Sequence, residues 1–346
     1  MADSGRWVVV GLDVGGTTIN ATVLDSAGRF LIEEMAESPS FVREGPDKAI
    51  DALEGALDDI LERTGLGRGQ VRAIGLDTPG PVTSDGVLSS RGATNFGNLE
   101  WRGYDVRTAL QVRVGLPVVF NNDANAAALY AHHAHFGAEI ARQRSSVSVI
   151  VGTGLGGGVV ESGEVISGAS GMAGELGHIW VPMDGLLGPG QPQPRCNCGL
   201  SGDAESVASL TGIEKNLLPY WLTQFPGHPL AAQPAALAAK LVRDYGEAGD
   251  PLALKIFEQQ AMAIGRLLTI AANFADPHAY LLGGGVVEAA PHFRDWFCDR
   301  VREHTVLREE QSRESAVALV PDLDMAGARG SAVAARAASL AATALA

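Results

Sequence analysis

Two glycine-rich turns of matching chemistry stand far apart in this chain of 346 residues. One is Gly11-Leu12-Asp13-Val14-Gly15-Gly16-Thr17-Thr18, directly after the apolar run Trp7 to Val10. The other is Val151-Gly152-Thr153-Gly154-Leu155-Gly156-Gly157-Gly158, directly after Val147-Ser148-Val149-Ile150. A strand that delivers such a turn lets backbone N–H groups and a hydroxyl approach phosphate with no β-carbon in the way. Gly15, Gly16, Thr17 and Thr18 would surround one end of a phosphate chain, and Gly152, Thr153 and Gly154 the other. Asp13 would repel polyphosphate unless a cation lay between them, which makes it a candidate Mg2+ contact, direct or through water. A turn aspartate that bonds its own backbone is the alternative. Two such turns imply a nucleotide held by two similar halves, and they point to phosphoryl transfer.

The elements that must position these residues follow from hydrophobic spacing. Trp7 to Leu12, Ile19 to Leu24 and Phe30 to Glu34 read as strands, with Asp25-Ser26-Ala27-Gly28 a turn. Ile50, Leu53, Leu57, Ile60 and Leu61 recur at helical spacing between Pro46 and Thr64. Val71 to Leu76 is a strand opening into a loop, Asp77-Thr78-Pro79-Gly80-Pro81-Val82. Val118 to Phe120 is a short strand ending in Asn121-Asn122-Asp123, followed by a helix from Ala124 to Phe136. The second half repeats this logic, with strands at Val147 to Val151 and Gly157 to Glu161. Beyond a loop-rich insertion from Gly185 to Ser201, helices are expected at Asp203 to Gly212, Pro234 to Tyr245 and Pro251 to Phe274. A last strand, His278 to Leu282, runs into Gly283-Gly284-Gly285, and Met325 to Ala346 is an alanine-rich helix that packs back on the protein. This order argues for a duplicated α/β architecture with a cleft between two lobes.

Composition narrows the partners. With 26 basic and 40 acidic residues the formal charge is −14, which argues against a nucleic-acid partner because phosphate neutralisation needs a basic face. No apolar stretch reaches the roughly 20 residues of a membrane span, and Met1 to Arg6 carries no signal-peptide pattern. Three cysteines, two of them in Cys196-Asn197-Cys198, suit a metal cluster in a cytoplasmic protein better than a disulfide framework. His132-His133-Ala134-His135 reads as a solvated or subunit-contacting face, and Cys298 as a small buried apolar residue.

Taken together, these motifs resemble the ROK family of sugar kinases and sugar-responsive repressors. The resemblance spans nearly the whole chain. It rests on the two turns, Pro79-Gly80-Pro81-Val82, Asn98-Leu99-Glu100-Trp101, Asn122-Asp123-Ala124-Asn125, Gly174-Glu175-Leu176-Gly177-His178 and Cys196-Asn197-Cys198-Gly199. It implies a duplicated ribonuclease H-like, actin-like ATPase fold with two domains and an interdomain cleft. The smaller domain would take residues 1–121 plus about 327–346, and the larger 122–326 with a zinc-loop insertion. The implied activity is ATP-dependent phosphorylation of a hexose, glucose to glucose 6-phosphate by default. Allose, fructose, N-acetylmannosamine or a C7-cyclitol are alternative substrates, and a catalytically inactive sugar-binding protein is the alternative to an enzyme. A repressor would need a helix-turn-helix ahead of the first turn, where only six residues precede Trp7.

The resemblance also assigns residues. Asp123 would be the catalytic base, its competing role being an N-cap for the following helix. Asn122, Asp123, Glu175, His178 and Glu205 would contact the sugar, with Asn98 and Gly80 as further candidates. Gly283, Gly284 and Gly285 would leave room for the nucleoside, a plain strand-to-helix turn being the alternative. Three cysteines and the histidine of the Glu-x-Gly-His motif bind a structural zinc in the family. Here the third cysteine position is Asp203, so the implied ligands are His178, Cys196, Cys198 and Asp203, or the site is weakened or lost and Cys196 and Cys198 are an ordinary thiol pair. A homodimer or homotetramer is implied as well.

Overall fold

A computed structural model describes residues 7–34, 36–91, 95–320 and 324–344. Met1 to Arg6, read above for a signal peptide, and the last two residues of the helix expected over Met325 to Ala346 lie outside these. The chain runs β1 (Val8–Val14), β2 (Thr18–Asp25), β3 (Ala36–Pro39), α1 (Pro46–Thr64), β4 (Val71–Thr78), α2 (Val106–Val114), β5 (Val118–Asn122) and α3 (Asp123–Ile140). It continues through β6 (Ser146–Val151), β7 (Leu155–Glu161), β8 (Glu164–Val165), α4 (Glu205–Ala208), α5 (Leu210–Gly212), α6 (Leu218–Gln224), α7 (Ala235–Glu247) and α8 (Pro251–Ala275). It closes with β9 (Ala279–Gly284), α9 (Pro291–Glu303), α10 (Glu309–Glu314), β10 (Ala316–Leu319) and α11 (Ala326–Ala344).

The duplication expected from the two turns is visible in the sheets. One has the order β3-β2-β1-β4-β5 and the other β10-β9-β6-β7-β8, so the second repeats the first with each strand number raised by five. In the first, β2 and β3 are antiparallel while β1, β4 and β5 are parallel. In the second, β6, β9 and β10 are parallel and β7 pairs antiparallel with β8. Two compact units are formed, one from Met1–Ser145, Gly158–Gly174 and Asp322–Ala346, the other from Ser146–Gly157 and Glu175–Pro321. The sequence-based boundary at residue 121 left α3 with the later unit. The structure puts α3 in the first, because its backbone packs directly on α11: a β-carbon at Gly330 would lie 1.7 Å from Ala126 O.

Local chemistry explains the elements that hold the first unit together. α1 starts with Pro46 at its first position, buries Ile50, Leu53, Leu57, Ile60 and Leu61, and ends at Gly65 in the left-handed region at φ 67°. Each fully buried Leu or Ile contributes roughly 1.5–3 kcal/mol relative to exposure. Val8, Val10, Leu12 and Val14 of β1 join these side chains in one core, while Val9 points to the other face and packs with Ala332 and Ala335 of α11. That second face is made by close backbone approach. A β-carbon at Gly11 would lie 1.9 Å from Ala328 O, and one at Gly75 would lie 1.8 Å from Ser331 O. The alanine-rich C-terminal helix therefore packs back as expected, and its small residues are what let it.

Several sequence expectations are corrected. Phe30 to Glu34 is not a strand. Asp25 and Arg29 close a tight turn, Phe30 bridges only Leu24, and β3 pairs with the other end of β2, at Thr18 to Ala21. Asp77 and Thr78 belong to β4 rather than to the loop. The helix expected over Asp203 to Gly212 is broken at Ser209, which is extended and whose hydroxyl accepts the Gly212 amide at 2.9 Å to cap α5. β10 follows β9, so His278 to Leu282 is not the last strand. His132 and His133 are buried and bonded to the carbonyls of Ala141 and Gly28, so they form no solvated face. Cys298 is buried as expected.

Candidate active site

In the first unit the carboxylates gather at the ends of parallel strands. Asp13 on β1 is in register with Asp77 on β4, and β5 ends beside them at Asn122. Asp77 is fully buried, and its Oδ1 accepts the Ser331 hydroxyl at 2.8 Å. Asn20 Nδ2 donates to Asp13 Oδ2 at 3.2 Å. The backbone at Gly327 comes so close that a β-carbon there would lie 2.9 Å from an oxygen of each acid. Burial raises the pKa of Asp13, against the hydrogen bond from Asn20 that lowers it. Burial, then the charges of Asp13 and Asp123, push Asp77 well above the carboxylate range. Two buried acids side by side cannot both ionise without a proton or a cation to compensate. Asn20 Oδ1 is buried with no hydrogen-bond partner among the described residues, and Asp77 Oδ2 faces Asp13, so the oxygens of this group fit a hard divalent cation such as Mg2+.

Around that pair stand the other first-unit candidates. Gly15 N donates to Thr18 O at 2.8 Å and Thr17 O accepts from Ser40 N at 3.0 Å, which fixes the first turn. Gly16 packs against Asn95, whose Cβ would lie 2.7 Å from an added β-carbon. Asn122 Oδ1 accepts the Asn125 amide at 2.7 Å, so Asn122 caps α3. Asp123, the next residue, keeps an exposed side chain whose Oδ1 meets its neighbour's amide, Ala124 N, at 2.8 Å. Gly80 is half-buried just beyond β4. Asn98 is occupied locally, accepting the amide of Glu100 at 3.0 Å.

The second unit carries the other set. Glu175 and His178 bracket a single helical turn, Leu176–His178, with His178 N donating to Glu175 O at 3.2 Å. Burial raises the Glu175 pKa; nearby His178 lowers it and Glu205 raises it. His178 Nδ1 lies 3.3 Å from Asp203 Oδ2 and 3.8 Å from Cys196 Sγ, and Cys198 Sγ lies 3.8 Å from the same Asp203 oxygen. All four donors lie within 4.8 Å of one another, near the spacing of about 3.3–3.8 Å by which tetrahedral zinc separates its ligands, so one nitrogen, two sulfurs and one oxygen could hold that ion. Asp203 is fully buried and divided in its duties: Oδ1 caps the chain at Ser206 N at 3.0 Å while Oδ2 faces the cluster. Binding through Nδ1 would leave His178 Nε2 for another partner. Glu205 accepts the Cys196 thiol on Oε1 at 3.2 Å and the Leu155 amide on Oε2 at 3.0 Å. Gly284, at φ 95°, is required by packing, since a β-carbon there would lie 2.0 Å from Val151 O. Its neighbours Gly283 and Gly285 belong to the end of β9 and the turn beyond it, and Gly285 N donates to Val151 O at 3.0 Å.

Comparison with known proteins matches the ROK family model to residues 9–338. The chain belongs to the ROK family. A glucokinase from Halalkalibacterium halodurans is 33% identical over 316 residues, 88% of this chain and 90% of that protein. An N-acetyl-D-glucosamine kinase from Shigella boydii is 30% identical over 279 residues, covering 80% and 83%. The solved structure of a ROK family glucokinase from Streptomyces griseus, in complex with glucose and AMPPNP, shares 29% identity at a TM-score of 0.66, over 96% of this chain and 100% of that one. The two mixed sheets with their helices are accordingly the α/β actin-like ATPase fold of ROK proteins.

In this ROK chain the structure brings together, within one unit, Asp13 with the first turn, and within the other, Glu175, His178, Glu205 and the metal-type cluster. Sequence reading missed Asp77 and Asn20. Asp77 did leave a signal, a carboxylate closing the apolar run from Val71 to Leu76. What a sequence does not print is the parallel register that sets it beside Asp13.

Proposed function

We propose that this ROK protein is an ATP-dependent sugar kinase whose first substrate is glucose, phosphorylated on its 6-hydroxyl. The observation that carries the reading is the exposed Asp123 carboxylate at the first turn of α3, one residue past the strand that ends beside the Asp13–Asp77 pair. Asp123 accepts the proton of the attacking hydroxyl as its oxygen bonds to the γ-phosphorus and the bond to the ADP oxygen breaks. The proton then passes to solvent. Amides of the Gly15-Gly16-Thr17-Thr18 and Gly152-Thr153-Gly154 turns, with the threonine hydroxyls, donate to the phosphates. Mg2+, held by Asp13 with Asp77 and Asn20 at hand, would offset phosphate charge when bound. Asn122, Glu175, His178 Nε2 and Glu205 hold the sugar hydroxyls, Gly80 and Asn98 are further candidates for the same contact, and Gly283-Gly284-Gly285 leaves room for the nucleoside. His178, Cys196, Cys198 and Asp203 would hold zinc, which would fix the orientation of the His178 ring. A homo-oligomer in the cytoplasm completes this reading, and the absence of disulfides among the three cysteines suits that compartment. Among the described residues no helix is long and apolar enough to cross a membrane.

The similarity to an N-acetyl-D-glucosamine kinase supports an amino sugar as the second reading. ADP release on adding ATP, Mg2+ and each of glucose, N-acetylglucosamine, N-acetylmannosamine, fructose, allose and a cyclitol, ranked by kcat/KM, separates them. No ADP release with any sugar of the panel would favour the inactive binder.

A further inference from the structure

The second glycine turn is held from one side by a short segment that the proposed mechanism does not use. Gly152 O accepts the Leu210 amide at 3.0 Å. Thr153 O accepts both the Thr211 amide at 3.1 Å and the Thr211 hydroxyl at 2.8 Å. In a trans peptide the C=O and the following N–H point in opposite directions, and both linkages here are trans. Turning these two carbonyls toward α5 therefore turns the Thr153 and Gly154 amides away from it, side by side. That is the arrangement a phosphate oxygen requires. The Leu155 amide is diverted to Glu205 Oε2, and a β-carbon on Gly154 would lie 2.7 Å from that same oxygen. Glu205 stands two residues past Asp203, whose Oδ1 accepts the Ser206 amide at 3.0 Å, so the loop fixes its place.

We propose that Thr211, supported by Glu205, is a positioning residue for nucleotide binding: it aims the amides of the second turn at the phosphates of ATP. This rests on the kinase reading above. Glu205, which the resemblance gives to the sugar, also bonds the turn at Leu155, so the loop that ends at Asp203 is coupled to the nucleotide's phosphates as well as to the sugar.

The test titrates Mg2+–AMPPNP, and separately the best sugar of the panel, into wild type, Thr211→Val and Thr211→Ser by calorimetry. Thr211→Val keeps the shape and removes the hydroxyl donor. Losing one such bond should weaken AMPPNP about three- to tenfold and raise KM for ATP in proportion, with sugar affinity unchanged. Thr211→Ser, which keeps the donor, should bind AMPPNP within about twofold of wild type. Thr211→Val binding AMPPNP as wild type does, or losing sugar and nucleotide affinity equally, overturns the proposal. Wild type that binds no AMPPNP sinks the kinase reading instead.

Discussion

At the first turn of α3, Asn122 takes the capping bond that Asp123 could have made, which leaves the Asp123 carboxylate exposed one position further on. Asp123→Asn preserves size and removes the proton acceptor, so kcat should fall by about 10²–10⁴ while calorimetric sugar binding persists. Turnover near the wild-type rate would strip Asp123 of its role. The histidines of the same helix behave differently. Burial is the largest influence on both His132 and His133 and lowers their pKa, outweighing the carbonyl bonds to Ala141 at 2.8 Å and Gly28 at 3.3 Å. Because the folded values lie below the unfolded one of about 6.5, their contribution is complete above it and is lost as pH falls toward the folded values. Denaturant stability should therefore drop between about pH 7.5 and 5.5, and drop less steeply in His133→Gln. Identical slopes for the two proteins would remove His133 from this account.

Among the elements, α1 was legible to its end residues because its signals are local: a proline at the start, apolar residues at helical spacing, and a glycine that closes it. α11 was legible as a helix, but why it is built of alanine and glycine was not. Its narrow face lets backbone meet backbone on β1, β4 and α3. Two effects compete at Gly330. Helix propensity favours alanine over glycine by about 1 kcal/mol, yet an added β-carbon would sit 1.7 Å from Ala126 O and force backbone apart. Overpacking of this kind costs about 1–3 kcal/mol or more. Gly330→Ala should therefore destabilise, read as a lower denaturant midpoint. A gain in stability would mean the helix can move away without cost.

At the scale of the whole molecule, the insertion leads into the group of His178, Cys196, Cys198 and Asp203, whose donor atoms lie within 4.8 Å of one another. The segment before Cys196 is tied down by protein contacts: the buried Gln259 donates to Gln191 Oε1 at 2.6 Å and to Leu186 O at 2.9 Å, and Arg266 donates to Asp184 O at 2.9 Å. Metal analysis of protein purified without chelator should give about one zinc per chain. Stripping it should lower Tm by a few degrees without unfolding the chain. Zinc-free protein from that preparation would mean that Asp203 serves only as a helix cap. The sequence by itself determined the paired turns, the repeated α/β order and the family. These signals are local, since glycine, cap and hydrophobic spacing act over a few neighbouring residues. Tertiary structure decided that Asp77 stands beside Asp13, that His132 and His133 are buried, and that Thr211 bonds the second turn at Thr153 O. Strand register and helix packing join residues dozens to hundreds of positions apart, and no local spacing encodes which of them will meet.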